Sequence, residues 1–188
     1  MTTPADPLLQ AIVEAAVSSV HAARGWLVAV GDGPPRVVAA AGTGTGDLIG
    51  AAIAESAETL GFVLAAGEAL ALVTDEDPRR EVEVEGTDDV GAPTPRSAVV
   101  CVPCLGDGAV LGALELVDDR EGRSFALDEI ERATSLAAVA GVALGRDGDG
   151  AGVPAPGELA ASVARLAERD PERYAAVARA LGAMLANA

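Results

Sequence analysis

The stretch that most constrains this chain is residues 96–118, "RSAVVCVPCLGDGAVLGALELVD". Two apolar runs flank "GDG", and a Gly-Asp-Gly centre supplies the backbone freedom that a tight β-hairpin turn needs. The first run is apolar at every position from Ala98 to Leu105. A strand with one wet face alternates apolar and polar residues. This one does not, so it must be covered on both faces. The chain therefore needs an antiparallel sheet held between two other layers.

Cys101 and Cys104, the two cysteines of the chain, lie inside that strand as Cys-x-x-Cys. Such a pair can be a thiol–disulfide switch, which usually opens a helix because the helix N-terminus stabilises the thiolate. It can also be half of a zinc site. In an extended strand, residues three apart point to opposite faces. The two thiols then do not readily close a disulfide or share one ion. A closed zinc site would need two further ligands, and the single histidine, His21, belongs to another element. Buried structural cysteines are the expected reading, with redox or metal use as the alternative.

The rest of the chain supplies the two layers. Residues 7–23 carry Leu9, Val13, Ala16, Val17 and Val20 on one helical stripe, with Asp6 as N-cap and Pro7 at the first position. "WLVAV", 26–30, and "RVVAAAG", 36–42, flank "GDGPP" and predict a second hairpin. After "GTGTGD", 42–47, the residues Leu48, Ile49, Ala52, Ile53 and Leu60 suggest one or two helices closed by Gly67. "ALALVTD", 69–75, predicts a strand. Residues 76–95 are acidic and rich in Pro and Gly, a long loop in which "EVEVE", 81–85, has the alternation of a small edge strand. Residues 124–145 form a long amphipathic helix whose stripe is Ile130, Ala133, Ala137, Ala140 and Leu144, small enough for another helix to approach closely. Residues 146–157 read as a linker. Two amphipathic helices separated by "RDP" follow it.

Charge and composition exclude several function classes. The net charge is −16, with 29 acidic residues against 13 basic ones, all arginine. Such a surface repels phosphate backbones and anionic lipid, so neither nucleic acid nor a membrane is an expected partner. Trp26, Phe62, Phe125 and Tyr174 are the only aromatics. The core must be aliphatic and poor in stacking platforms. The opening "MTTPADPLLQ" has no basic region of an export signal, and the run "LAAVAGVAL", 136–144, is about half of what a membrane span needs. A cytoplasmic protein with reduced thiols is the expectation.

Three stretches together resemble the GAF domain family. They are "AGEALALVTDEDPR" (66–79), "TPRSAVVCVPCLGDGAVLGALELVDD" (94–119) and "GRSFALDEIERATSLAAVAGVAL" (122–144). The second follows the family's hairpin motif closely, including Arg96, Ser97, Pro103, Gly112 and Leu116. The resemblance covers about residues 7–145. It implies an α/β (α+β) fold: an antiparallel sheet of five or six strands, terminal helices on one face and a small-molecule pocket on the other. It also implies a sensory or regulatory module, commonly dimerised through the terminal helices.

Particular ligands of the family fit less well. Phosphodiesterase-type domains that bind cyclic nucleotides carry Asn-Lys, then Phe and Asp-Glu. Here the stretch is "DDREGRSFALDE": Phe125, Asp128 and Glu129 match loosely, while Asp118 and Asp119 replace Asn-Lys. Bilin-binding members use a dense set of aromatics and histidine that this chain lacks. Free methionine-sulfoxide reductases of this fold use cysteines in the pocket and in the preceding loop, and residues 76–95 contain none.

Other candidate features have plain readings. "GTGTGD" lacks the lysine of a phosphate-binding loop and serves the chain turn, with a pocket contact left open. His21 reads as a helix C-terminal residue. The loop acids Asp75, Glu76, Asp77, Glu81, Glu83, Glu85, Asp88 and Asp89 read as solvated charge, with a divalent cation as the alternative. Arg96 either steers an anionic ligand or pairs with those acids. The last helices, with Leu159, Val163, Leu166, Tyr174, Val177, Leu181 and Leu185, need a surface to pack on.

The expected organisation is a domain over residues 1–146, a linker over 147–157 and a two-helix extension over 158–188. The expected function is non-catalytic: sensing a small molecule, dimerising and engaging a separate effector that docks on 158–187. A pure scaffold with a filled pocket is the alternative, and a methionine-sulfoxide reductase the remote one. The candidate pocket residues are Thr43, Thr45, Phe62, Arg96, Val99, Cys101 and Glu115. No metal site is expected, and the identity of any cofactor or ligand is left open.

Overall fold

The computed structural model describes residues 6–54, 57–83, 96–106, 108–118, 120, 123–147, 156–169 and 171–186. Of the expected linker, residues 148–155 lie outside the described residues, while 156 and 157 are described as helix; the loop acids Glu85, Asp88 and Asp89 also lie outside.

Helix α1 (Pro7–Ser19) begins as its sequence demands. The Asp6 carboxylate accepts the amides of Leu8 at 2.7 Å and Leu9 at 3.4 Å, satisfying two of the orphan donors at the helix start. The helix stops before residue 23, because His21 adopts φ 54, a left-handed stop of the kind that ends many helices. Strands β1 (Arg24–Ala29) and β2 (Arg36–Gly42) form the first hairpin. There follow β3 (Ala52–Ile53), α2 (Thr59–Ala66), β4 (Leu70–Thr74), a 3₁₀ turn (Pro78–Glu81) and β5 (Val82–Glu83). The second hairpin is β6 (Ser97–Gly106) with β7 (Ala109–Asp118), then come α3 (Leu127–Asp147), α4 (Pro156–Arg169) and α5 (Pro171–Ala186).

The strands form one antiparallel sheet in the order β4-β6-β7-β1-β2-β3-β5. Five of these strands are substantial, while β3 and β5 contribute two residues each. The expectation of helix from Leu48 onward is corrected. Residues 46–50 turn, and Gly50 sits at φ 90. The backbone of this segment makes turn bonds and is tied to β2: Ala51 N–H donates to the Leu48 carbonyl at 3.0 Å, Gly50 N–H to the Val37 carbonyl at 2.8 Å, and Val37 N–H to the Ala51 carbonyl at 3.0 Å. Only Thr59–Ala66 is helical, and Gly67 ends it at φ 68, as expected.

The sheet divides two cores. On one face Leu27, Ala39, Val100, Val102, Cys104, Leu114 and Leu116 meet Leu9, Ile12, Val13 and Ala16 of α1 and Ala133, Leu136, Ala137 and Ala140 of α3. On the other, Trp26, Val28, Val37, Val99, Cys101, Ala113 and Val117 meet Leu48, Ile53, Leu60, Val63 and Val82. Both faces of β6 are thus covered, as its unbroken apolar run requires.

The small residues of α3 do bring something close. At Gly141 the close neighbour is the strand β6: a Cβ there would lie 2.2 Å from the Leu105 carbonyl oxygen. The last two helices fold back on the domain. Helix α5 packs on α3 and α4 on α5. Val177 is buried in the α1–α3 core, and Arg173 donates a hydrogen bond to the Leu105 carbonyl. No described helix is long and apolar enough to cross a membrane.

Candidate functional site

Strand register builds the site. Ala40, Trp26, Glu115, Cys101 and Leu70 face one another in a single row across β2, β1, β7, β6 and β4. Directly paired residues of antiparallel strands share a face, so all five point away from α1 and α3. Trp26, Glu115 and Cys101 have no exposed surface. Val99, two residues before Cys101, shares their face. Glu115 is a carboxylate set among aliphatic side chains, and the Trp26 indole Nε1 has no hydrogen-bond partner among the described residues.

Short elements roof this layer. Leu48 from the 46–50 turn, Ile53 from β3, Leu60 and Val63 from α2 and Val82 from β5 lie over it. Two ion pairs tie the roof to the 3₁₀ turn and that turn to the sheet, and a third joins the end of β4 to the start of β6. Arg79 donates to both oxygens of Asp47, at 2.9 and 2.7 Å. Arg24 meets Asp77 at 3.2 Å, and Arg96 meets Asp75 at 2.8 Å. Arg24 stands two residues from Trp26 on β1, on the same face, at the end of the layer.

The expected pocket residues separate into two groups. Val99, Cys101 and Glu115 come together in the layer. Thr45 is buried, but its hydroxyl donates to the Gly42 carbonyl at 3.0 Å and closes the turn. Thr43 is exposed on the same turn. Phe62 is 47 % exposed, because the inward stripe of α2 runs through Leu60, Val63 and Leu64. Arg96 lies at the surface, and its guanidinium is engaged with Asp75. Trp26 and Arg24 were not among the expected residues. Alternation along "RGWLVA" puts the two on one face, but only the pairing of β1 with β7 sets them beside Glu115.

Cys101 and Cys104 are not joined to each other and lie on opposite sides of the sheet, Cys101 in the roofed layer and Cys104 against α1 and α3. Burial pushes the Cys104 thiol up to about 12, so it is not a thiolate at neutral pH. Among the described residues no three His, Cys, Asp or Glu are gathered as metal ligands would be.

A second cluster is electrostatic. Asp118, at the end of β7 with no exposed side-chain surface, receives the Arg120 side chain at 2.9 and 3.0 Å and the Arg123 Nε at 2.9 Å. Arg123 also donates to Glu129 at 2.6 Å and to the Val20 carbonyl at 3.2 Å, while Arg120 donates to the His21 carbonyl at 2.9 Å. Burial alone would raise the Asp118 carboxyl; the bonds from Arg120 and Arg123 outweigh it and hold it below the usual carboxylate range. The Ala126 amide, then Arg123, hold Glu129 low as well. This cluster staples the end of α1 to the end of β7 and the start of α3. Its role is structural, and it occupies the "DDREGRSFALDE" stretch.

Comparison with solved structures supports the same architecture. The second GAF domain of DevS from Mycobacterium smegmatis aligns with a TM-score of 0.57 at 17% identity, over 76% of this chain and 94% of that one. The GAF domain of an Acinetobacter phosphoenolpyruvate-protein phosphotransferase gives 0.58 at 12%, over 76% and 83%. A type II free methionine-R-sulfoxide reductase from Thermoplasma acidophilum gives 0.53 at 13%, over 73% and 89%. At such identities the likeness is one of fold. No curated protein matches the chain. The family model described as GAF domain matches residues 4–144, three quarters of the sequence and the whole of the sheet with α1 and nearly all of α3: the chain belongs to the GAF domain family.

Proposed function

We propose that this chain is a non-catalytic regulatory module of the cytoplasm. It takes a small molecule into the layer between the sheet and its roof and transmits occupancy to a separate effector. GAF domains are in general sensory and regulatory modules. The observation that carries the reading for this chain is the row Trp26–Glu115–Cys101. A carboxylate and an indole N–H are placed in an otherwise aliphatic layer, on the face that the terminal helices leave to short roof segments. Binding sites have this composition, mostly apolar with a few convergent polar groups.

The proposed output uses the opposite face. Helices α1 and α3 lie side by side there and form the dimer contact, while the outer side of α4 and α5, where Tyr174 is 37 % exposed, receives the effector. Thiol chemistry has little support. The two sulfurs point to opposite faces, and burial holds the Cys104 thiol in its neutral form.

A scaffold reading has one observation in its favour: Trp26, Leu48, Leu60 and Val63 fill the layer with no exposed surface of their own. Native mass spectrometry of the full chain purified from its own source separates the two. The sensory reading expects a dimer carrying a small-molecule adduct of constant mass that is lost on denaturation. A bare dimer in every preparation would establish the scaffold instead.

A further inference from the structure

The two edges of the sheet are built differently. At one end β5 offers only two residues, too few to template another strand. At the other end β4 offers Leu70–Thr74, "LALVT", with no proline and no charge. It pairs with Ser97–Cys101 of β6 in one unbroken register, without the shifts that interrupt β1–β2 and β6–β7. Among the described residues β4 pairs with β6 alone. In an antiparallel ladder alternate residues turn their backbone groups to one neighbour, so the others on β4 aim N–H and C=O groups away from β6. Sheets that must not grow blunt such an edge with a bulge, a proline or an inward-pointing charge. Within Leu70–Thr74 there is none of these. Both side-chain rows of the strand are apolar as well. Leu70 and Leu72 are half-buried against the roofed layer. Ala71 and Val73 stand opposite Val100 and Ala98 and stay exposed, Val73 by 44 %.

Charge decides the occupant. Glu68 lies just before the strand, and Asp75 and Glu76 just after it, all exposed. Asp75 is engaged with Arg96, while Glu68 and Glu76 meet no cation among the described residues. A second copy laid antiparallel about Leu72 would set Glu68 of each chain against Glu76 of the other. Two chains of net charge −16 also repel as wholes. An extended segment with lysine or arginine beyond each end of an apolar centre meets opposite signs instead. We propose that β4 docks such a segment, a basic, extended stretch of another protein that joins the sheet as a further strand. Backbone pairing supplies the affinity, and the flanking charges select the partner. The inference does not depend on a small molecule entering the roofed layer.

The test adds a fluorescently labelled peptide, Lys-Ser-Val-Thr-Val-Thr-Val-Ser-Lys with blocked ends, to the full-length chain. Anisotropy reads binding, and hydrogen exchange reads its place. Saturable binding with slower exchange at residues 70–74 is expected. The same peptide with glutamate for both lysines is expected to bind at least about tenfold more weakly at low salt. N-methylation of the central amides leaves the charges in place and removes the donors, and is expected to weaken binding at least about thirtyfold. In Glu68→Lys/Glu76→Lys the preference for the lysine peptide is expected to fall to within about threefold, although the chain as a whole stays acidic. No saturable binding at millimolar peptide, or equal binding of the N-methylated form, overturns the inference. So does a preference unchanged in the double variant, which would trace it to net charge and not to the strand ends. Protection of residues 70–74 that grows with protein concentration alone assigns the edge to a second copy and overturns it too. The N-methyl comparison uses the parent chain, so it decides even where the double variant does not fold.

Discussion

Asp118 and its arginines are the residues on which the joint between α1, β7 and α3 depends. Asp118 has no exposed side-chain surface, and Arg120 and Arg123 both converge on it. Asp118→Asn keeps the shape and removes the charge, leaving Arg123 close to a neutral amide. Breaking a buried pair from one side costs about 3 kcal/mol, and denaturant unfolding at pH 7 should register a loss of that order. The pH dependence gives a second readout. Asp118 and Glu129 both titrate lower in the folded chain than in the unfolded one. On acidification the unfolded chain therefore takes up protons first. The stability these groups contribute is complete above the ordinary carboxylate range. It fades from about pH 4 downward, as the pH falls toward the lower folded values. The gap between parent and Asp118→Asn should narrow by up to about 0.7 kcal/mol at pH 3.5 and by more with each further step below it. A gap that stays constant with pH would mean that the loss is one of packing and not of charge. Spacing in the sequence showed that "DDREGRSFALDE" departs from the cyclic-nucleotide pattern. That its charges close on one another followed only from the fold, because Asp118 ends a strand and Glu129 opens a helix.

Glycine provides a test of how the elements pack. Gly141 of α3 lies against the Leu105 backbone, and an added Cβ would sit 2.2 Å from that carbonyl oxygen. Gly182 of α5 has nothing within 4 Å of the same position. Helix propensity favours alanine by about 1 kcal/mol at both sites. Overpacking at Gly141 costs about 1–3 kcal/mol, so Gly141→Ala should lower Tm while Gly182→Ala raises it, each by a few degrees. Equal signs would show that α3 can move off β6. The same contrast explains what was legible in the sequence. The hairpins were legible because their turns and alternation are local, and the unbroken run in β6 announced cover on both faces. Residues 46–53 were misread as helix because Leu48, Ile49, Ala52 and Ile53 have helical spacing. The segment is instead held as a turn and a short strand by bonds to β2, to Pro35 and to β5, and no local pattern encodes those distant partners. Phe62 was misplaced for a related reason: which side of α2 faces the sheet depends on where its Leu60 and Val63 land. Glu115 and Cys101 were expected from the hairpin, but the sequence left open which cysteine shares the face of Glu115, and the register of β6 with β7 puts Cys101 there. Trp26 was missed because it joins them only through the order β6-β7-β1.

At the scale of the whole molecule, the sheet separates a roofed layer from a helical face, and the last two helices decide what that helical face can meet. Charge and hydropathy in the sequence stated that these helices need a surface and left open which one. In the structure they take their own domain, with α5 on α3, Val177 in the core and Arg173 bonded to the Leu105 carbonyl. Leu105 is the residue against which Gly141 also packs, so α3, α5 and the tip of the second hairpin meet at one backbone group. Among the described residues this docking includes the buried Val177, Leu166 packed beside the same core, and the Arg173 bond. Val177→Asp places a charge in that contact and should release α5 while leaving the sheet intact. Hydrogen exchange reads the two separately. Amides of residues 171–186 should exchange about a hundredfold faster, the equivalent of ~3 kcal/mol, while those of β6 and β7 keep their protection. Faster exchange throughout β6 and β7 would instead make α5 part of one cooperative unit with the sheet. The first outcome leaves the tail detachable, so that an effector or a second subunit can compete for the flank of α3. The second makes it a fixed wall, and any dimer must then form on α1 and the remaining side of α3.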